Sequence, residues 1–304
     1  FSTRWVLQGL GAVDYGLVGV VGSILVFITF LNSVMAMSAS RHLSFAMGRC
    51  RNETGDGSDE LRAWFNASLS IHALVPALLV LVGYPIGVWT VRNWLVIPPE
   101  RLESCVWVFR LSVVSALVSM TIVPFRSIFL ARQRIAEQVV YDMIGSILNF
   151  AFAWTLLRHA GDRLVYYACY TVGVGLLASL VYVTRAWVSF PETRLCFKAW
   201  WDRRKIRELA GFAAWNFFGA AGWLGSNQGI ALIGNKFFGP LVNAALNVGA
   251  QVSNQVTALT HALTTALNPE IVATEGAGDR RRVMRLAFSS CRLATLLNLF
   301  FMLP

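Results

Sequence analysis

Charge is scarce in this chain. Only 14% of its 304 residues are Asp, Glu, Lys or Arg, against 56% hydrophobic, and the mean hydropathy is +0.57. Soluble domains carry about 25% charge and about 45–50% apolar residues. A thicker core cannot absorb the excess, because single cores stop growing at roughly 250–300 residues. The composition excludes a soluble domain, a disordered chain and a soluble nucleic-acid binder, and leaves an integral membrane protein. Cysteine is sparse too. Cys50, Cys105, Cys169, Cys196 and Cys291 stand apart with no C-x-x-C pair, which reads as reduced or buried thiols rather than a disulfide frame or a zinc site.

Catalytic signatures are equally thin. His42, His72, His159 and His261 are dispersed, with no two at metal-ligand spacing. No phosphate-cradling loop or zinc-protease motif occurs, and Gly225-Ser226-Asn227-Gln228-Gly229 places its serine one position early for a nucleophile elbow. Inside the apolar runs only Glu103 and Asp142 offer carboxylates. The expectation is a conduit rather than an enzyme, with no cofactor and no metal.

What the chain does have is long apolar runs. Seven are long enough to cross a bilayer core of about 30 Å, which takes around 20 helical residues: about Tyr15–Ala39, Asn66–Thr90, Glu103–Phe125, Gln138–Arg158, Leu164–Ala186, Gly211–Lys236 and Leu241–Ala266. An eighth, about Ala287–Pro304, stops inside the run. Barrel strands would be segments of about ten alternating residues, so the expected fold class is all-α, a polytopic membrane helix bundle. Since Phe1 is not Met and Pro304 closes an apolar run, the chain reads as a fragment.

Orientation follows from the cations. Placed on alternate sides of these runs, 19 of the 26 Lys and Arg residues fall on one side. That side is cytoplasmic by the positive-inside rule, which puts Phe1–Asp14 outside and implies one earlier span. The cytoplasmic segment Arg185–Leu209 mixes seven cations with Trp187, Phe190, Phe197, Trp200 and Trp201. Such a mix suits an interfacial amphipathic helix on anionic headgroups. Asn52–Glu60 reads as an acidic loop without calcium-loop spacing. The expected organisation is an N-terminal lobe at 1–186, an amphipathic linker at 187–210 and the start of a C-terminal lobe at 211–304.

An internal repeat fits two lobes. At an offset of 228 residues, Leu10-Gly11 matches Phe238-Gly239 and Gly48 matches Gly276, each segment running from outside inward. Parallel six-helix repeats with a substrate path between them are a standard transporter plan, and here imply about twelve spans in all.

Polar residues inside the runs point to that path. Asn243, Asn247, Gln251, Asn254, His261 and Thr265 recur over an arc of about 80° on one helix. Interhelical hydrogen bonds alone, worth about 0.6 kcal/mol each in lipid, would need a matching ladder on a partner, whereas a hydrated cavity needs none. Asn216 and Asn227 share a face of the preceding run, with a short turn making the two runs antiparallel neighbours. Asp142, Ser146 and Asn149 form a shorter stripe. Ser112, Ser115, Ser119 and Arg126 form another, which suits cavity and helix contact equally.

Particular strings then resemble a known family. Leu10-Gly11-Ala12-Val13-Asp14-Tyr15-Gly16, Phe30-Leu31-Asn32, Arg41-His42-Leu43-Ser44-Phe45, Trp215-Asn216-Phe217-Phe218-Gly219 and Asn227-Gln228-Gly229-Ile230 are similar to bacterial O-antigen and polysaccharide flippases. So are Phe237 to Ala245, Gln251-Val252 and Asn268-Pro269-Glu270-Ile271. Leu246-Asn247 stands where that family often has Arg-Gly, and Glu270 where it favours Gln, so no phosphate contact is assigned at position 246. The family belongs to the multidrug/oligosaccharidyl-lipid/polysaccharide exporter superfamily. The resemblance implies two six-helix lobes around a central cavity, a site in the bacterial inner membrane, and translocation of undecaprenyl-diphosphate-linked oligosaccharide for surface polysaccharide assembly. It also implies a polysaccharide polymerase and a ligase as partners, beside membrane lipids.

On that reading Arg41 and Arg126 admit the diphosphate, since Arg binds phosphate through paired donors; plain positive-inside anchoring explains them as well. Asn216, Asn227, Asn243, Asn247, Gln251 and Asn254 offer donors and acceptors to sugar hydroxyls. Asp142 either binds a coupling ion or pairs with Arg132 or Arg134. The rival readings are a multidrug exporter of the same superfamily, which should prefer an acidic, aromatic cavity, and a membrane glycosyltransferase or ligase, which needs a carboxylate pair near a large soluble loop.

Overall fold

The computed structural model describes residues 2–50, 57–95, 97–196 and 200–302; within these, side chains at 2–3, 12, 20, 23–27, 57–58, 223–225, 227–256, 259 and 301–302 lie outside the description. The described residues are almost all helical, with no strand among them: α1 (Ser2–Cys50), α2 (Gly57–Asn93), α3 (Leu102–Thr121), α4 (Val123–Ala131), α5 (Ile135–Leu156), α6 (Arg163–Ser189), α7 (Arg203–Gly276) and α8 (Arg280–Met302). Five described segments are long and apolar enough to cross a membrane: Asp59–Asn93, Pro99–Ala131, Ile135–Leu156, Arg163–Ser189 and Arg280–Phe300.

Local sequence explains the breaks. Gly11 departs from helical geometry at φ 80°, ψ 165°, a conformation that L side chains disfavour and glycine tolerates. The kink therefore falls where the repeat was read to open. Pro124 has no amide proton to give a preceding turn, and it stands at the start of α4 just after the interruption at Ile122. α4 then turns into α5 through Gln133, at φ 61°. Asp162 caps α6, accepting from the Leu164 and Val165 amides at 3.0 and 3.3 Å, and Asp202 caps α7 in the same way from Arg204 and Lys205.

The segment Arg185–Leu209 is not the single interfacial helix expected from its composition. α6 ends at Ser189, a 3-10 turn covers Pro191–Thr193, and α7 starts at Arg203. Pro191 stops the helix, and the turn then folds against the bundle. Phe190 is buried, and Glu192, 5% exposed, takes an ion pair from Arg132. Of its described aromatic residues, Trp187 and Trp201 keep a broad exposed face. The acidic stretch read as a loop to Glu60 is also shorter, since α2 already begins at Gly57 with Asp59 and Glu60 in its first turn.

α1 to α6 pack as one bundle with three apolar centres among the described residues, one of them a small cluster of Val6 and Leu10 of α1 with Phe152, Ala153 and Leu156 of α5. The inner one joins Leu43, Ala46 and Met47 of α1 to Phe65 of α2, Phe129 of α4 and Tyr182 of α6. Edge-to-face contacts of Phe129 with Tyr182 and Phe190, at 5.7 and 5.1 Å, fix it. The outer one joins Leu17 and Val21 of α1 to Cys105, Val106 and Phe109 of α3 and Leu164 of α6. Between them the outward faces stay apolar. Leu81, Val82, Ile147 and Leu180 are each more than 60% exposed, as lipid-facing residues are.

α7 carries 74 helical residues but cannot be straight. Phe212 and His261 line one cavity, although a straight helix at 1.5 Å per residue would separate them by roughly 70 Å. The element reverses between them and forms two antiparallel limbs, in keeping with the two runs read from the sequence. Both limbs lie along α1. Phe217 meets Phe30 at 5.3 Å and Ser38 donates to the Leu209 carbonyl at 2.9 Å on the first limb. Ala273 and Gly276 meet Gly48 and Phe45 on the second.

Candidate functional site

The cavity that Phe212 and His261 share has a volume of about 380 Å³ and lies between α1 and α7, with Leu130 of α4 at one edge. Its lining repeats itself. Ala36, Met37, Ser40, Arg41 and Ser44 of α1 face Thr264, Thr265, Asn268, Pro269 and Val272 of α7, and every one of these pairs differs by the repeat offset of 228. A pseudo-two-fold axis thus runs through the cavity. Its two walls use equivalent positions with different chemistry, Arg41 matching Pro269 and Ser40 matching Asn268.

The wall is mostly apolar surface, from Ala36, Met37, Leu130, Phe212, Pro269 and Val272, with hydroxyl, imidazole, amide and guanidinium groups set into it and no carboxylate among the described residues. The buried Ser44 hydroxyl has no hydrogen-bond partner there, and His261 and Thr265 bond each other at 3.2 Å. These two close the inner end of the predicted polar stripe, and the structure turns them toward the cavity. Asn243, Asn247, Gln251 and Asn254, farther along the stripe, lie outside the described side chains, as does Asn227. Asn216 is described: its amide donates to the Phe212 carbonyl of its own helix at 2.8 Å, and it is not part of the cavity wall.

Arg41 is the charged group of this site. Its guanidinium carbon stands 4.2 Å over the Phe212 ring, and no carboxylate pairs with it among the described residues. It also borders a second cavity, of about 540 Å³, with His42, Arg49, Glu60, Trp64, Arg204, Lys205 and Glu208. Arg49 is paired with Glu60 at 3.1 Å, Arg204 with Glu208 at 3.1 Å and Lys205 with Asp202 at 2.9 Å. The Lys205 ammonium, and two amides at the α7 start, hold the Asp202 carboxyl below its ordinary range despite partial burial. Arg41 is left as the cation shared by both cavities.

Arg126 and Asp142 fall elsewhere and neutralise each other. Asp142 accepts from Arg126 at 3.0 and 3.1 Å and from the Tyr182 hydroxyl at 3.1 Å, and Arg126 lies 4.9 Å over the Tyr182 ring. The expected partners are engaged otherwise, Arg132 with Glu192 and Arg134 with Glu137 at 3.3 Å. The turn at Gln133 explains this, because it runs α4 and α5 back along each other. Residues a similar distance on either side of the turn therefore meet, whereas those at the turn point away. Ser146 and Asn149, the rest of that stripe, bond carbonyls of their own helix.

A third cavity, of about 570 Å³, opens between α1, α2 and α3 and is almost wholly apolar, with Leu79, Tyr84, Phe109 and Val113 in its wall. Among the described residues no group of three His, Cys, Asp or Glu side chains is placed to hold a metal. The motif search missed Ser40, Ser44, Thr264 and Asn268. The signal for them was present: applying the offset to every polar position near Arg41, rather than to glycines alone, brings out these pairs.

No protein-family model matches the chain, and no curated protein matches it. Solved structures do. A MOP superfamily transporter from Pyrococcus furiosus superposes with a TM-score of 0.74 at 13% identity, over 97% of this chain and 64% of that one. A multidrug resistance MATE family transporter of the MOP superfamily, in an outward-facing conformation, superposes with a TM-score of 0.73 at 14% identity, over 99% and 66%. This chain shares the fold of those two transporters. It spans just under two thirds of the length of those transporters. With its exposed apolar helices it is a multi-pass membrane protein, and the cavity lies at the seam between α1 and the two limbs of α7.

Proposed function

We propose that this protein is a transporter that carries a lipid-linked oligosaccharide, with an undecaprenyl-diphosphate anchor, across a bacterial inner membrane. The observation that carries the reading is the seam cavity: a mostly apolar wall that holds the hydroxyls of Ser40, Ser44, Thr264 and Thr265, the Asn268 amide and the cation Arg41, with no described carboxylate. Sugar hydroxyls need mixed donors and acceptors, and a diphosphate needs an unpaired guanidinium. A cation exporter calls for the opposite polarity. The sequence resemblance to polysaccharide flippases supports the same substrate, and places a polysaccharide polymerase and a ligase next in line.

The multidrug reading has its own support in the fold shared with a multidrug resistance transporter, so the test must separate the two. Deletion of the gene should abolish surface glycan and leave lipid-linked repeat units on the cytoplasmic leaflet. Normal glycan in a strain without a second flippase, together with lost efflux of organic cations, would overturn the flippase reading in favour of the exporter. Within the site, Arg41→Ala should reduce glycan export while Arg126→Ala, whose cation is already paired, should affect it less.

A further inference from the structure

At the inner end of the seam the two repeats touch backbone to backbone. A Cβ placed on Gly48 would overlap the Ala273 carbonyl oxygen and sit 2.6 Å from its carbon and 2.9 Å from its Cα. A Cβ on Gly276 would overlap the Phe45 carbonyl oxygen and sit 3.0 Å from its carbon and 3.2 Å from its Cα. Gly48 and Gly276 are equivalent positions of the repeat, and so are Phe45 and Ala273, at the same offset of 228. The contact is therefore its own image under the pseudo-two-fold axis. Since the missing Cβ and one glycine Hα share a direction, each glycine aims a Cα–H at the opposite carbonyl, a weak hydrogen bond common where helices pack closely. Both glycines are needed for this approach, as any side chain would hold the repeats apart.

This contact lies about one helical turn beyond Ser44 and Val272, the last residues of α1 and α7 to line the seam cavity. The seam cavity is lined by residues 36–44 and 261–272, all on the outer side of the glycines. The cavity of Arg49, Glu60 and Arg204 opens on the cation-rich, cytoplasmic side. We propose that Gly48 and Gly276 form a two-fold clasp that is the cytoplasmic gate: closed here, it seals the seam cavity from the cytoplasm, and its parting exposes that cavity inward. The proposal rests on the transporter reading above but not on its substrate. A clasp built from two identical contacts on an axis opens as a unit when the repeats rock apart, because neither half can persist without the other. Its small surface suits a contact that must break in every cycle.

The test is a distance measurement on the full-length protein in lipid nanodiscs, in a background with its native cysteines replaced. Spin labels on Arg49→Cys and Ala277→Cys, again equivalent positions just beyond the glycines, report the cytoplasmic separation. With both glycines present, a short distance should dominate. With Gly48→Ala or Gly276→Ala it should give way to a longer one, to a similar extent for either variant, and Gly48→Val/Gly276→Val should remove the short distance. An unchanged distribution in correctly folded variants would overturn the proposal. Should those variants fail to fold, a short bis-maleimide joining the same two cysteines in the protein with both glycines decides the matter. The cross-link should abolish cytoplasmic labelling of a third cysteine at Asn268, and labelling that persists at the uncross-linked rate would refute the clasp. No substrate enters either reading, so a wrong flippase assignment leaves both results interpretable.

Discussion

Asn66 offers a measure of what ties the segment between α6 and α7 to the bundle. It is fully buried on α2. Its amide donates to the Arg62 carbonyl at 2.8 Å and to the Arg194 carbonyl at 3.4 Å, and its carbonyl accepts from the Cys196 amide at 2.9 Å. Replacing Asn66 with Ala removes all three bonds, but their costs differ. The Arg194 carbonyl keeps a donor in Arg62, at 3.2 Å, and the Arg62 carbonyl keeps its place in the helix. The Cys196 amide is left without this acceptor, and an unsatisfied buried donor costs about 1–3 kcal/mol. We therefore expect about 2 kcal/mol of local destabilisation, which raises the detached population of the segment roughly thirtyfold at 1.4 kcal/mol per decade. The segment is rich in tryptic sites, with Arg194, Lys198, Arg203, Arg204, Lys205 and Arg207. Limited trypsinolysis of the purified protein should cut Asn66→Ala there at least tenfold faster, while cleavage at Arg158 and Arg163 stays unchanged. Equal rates in the segment would show that these bonds do not anchor it, and would refute the reasoning.

Other outcomes follow from the same structure. Asp162 is partly buried, which alone would raise its carboxyl; bonds from Ser104 and two amides, with Arg101 nearby, outweigh this and hold it below the ordinary value. Its stabilising contribution is complete above the ordinary carboxylate range of about 4 and is lost as pH falls through the lowered folded-state value. Asp162→Ala should thus cost about 1 kcal/mol near neutral pH, read as a lower Tm, and the difference from the parent should vanish in strong acid. For topology, the cation distribution places position 100 outside and position 200 inside; an impermeant maleimide on intact cells should label Glu100→Cys and not Trp200→Cys, and the reverse pattern would invert the assignment. For the polar stripe, Asn247→Leu/Gln251→Leu should insert and fold normally, because Leu is favoured in the bilayer by a few tenths of a kcal/mol, while transport falls. Single cysteines at these positions that resist water-soluble thiol reagents, when the opposite face reacts, would make the stripe a helix contact.

Some features depended on composition and period alone. Scarce charge and long apolar runs determine a membrane helix bundle whatever the neighbours are, because unpaired backbone groups are not tolerated in lipid. Gly11, Pro124, Asp162 and Asp202 act through their own backbone or cap chemistry, but a reading by apolar runs passes over them: it took Glu103–Phe125 straight through Pro124 and assigned no caps. The offset of 228 was legible, since repeats preserve spacing. Pairing across the turn was not. Asp142 meets Arg126 rather than Arg132 or Arg134 because the reversal at Gln133, and not sequence distance, decides which side chains face each other. Nor could composition foresee that the Arg185–Leu209 segment folds onto the bundle: its aromatics and cations suit a headgroup layer equally well, and only the presence of Arg132 and Asn66 in the right places draws Glu192 and Cys196 inward. The close approach of Gly48 to Ala273, and of Gly276 to Phe45, belongs to the tertiary structure too. A glycine permits contact, but only the packing of two repeats about an axis decides what it touches.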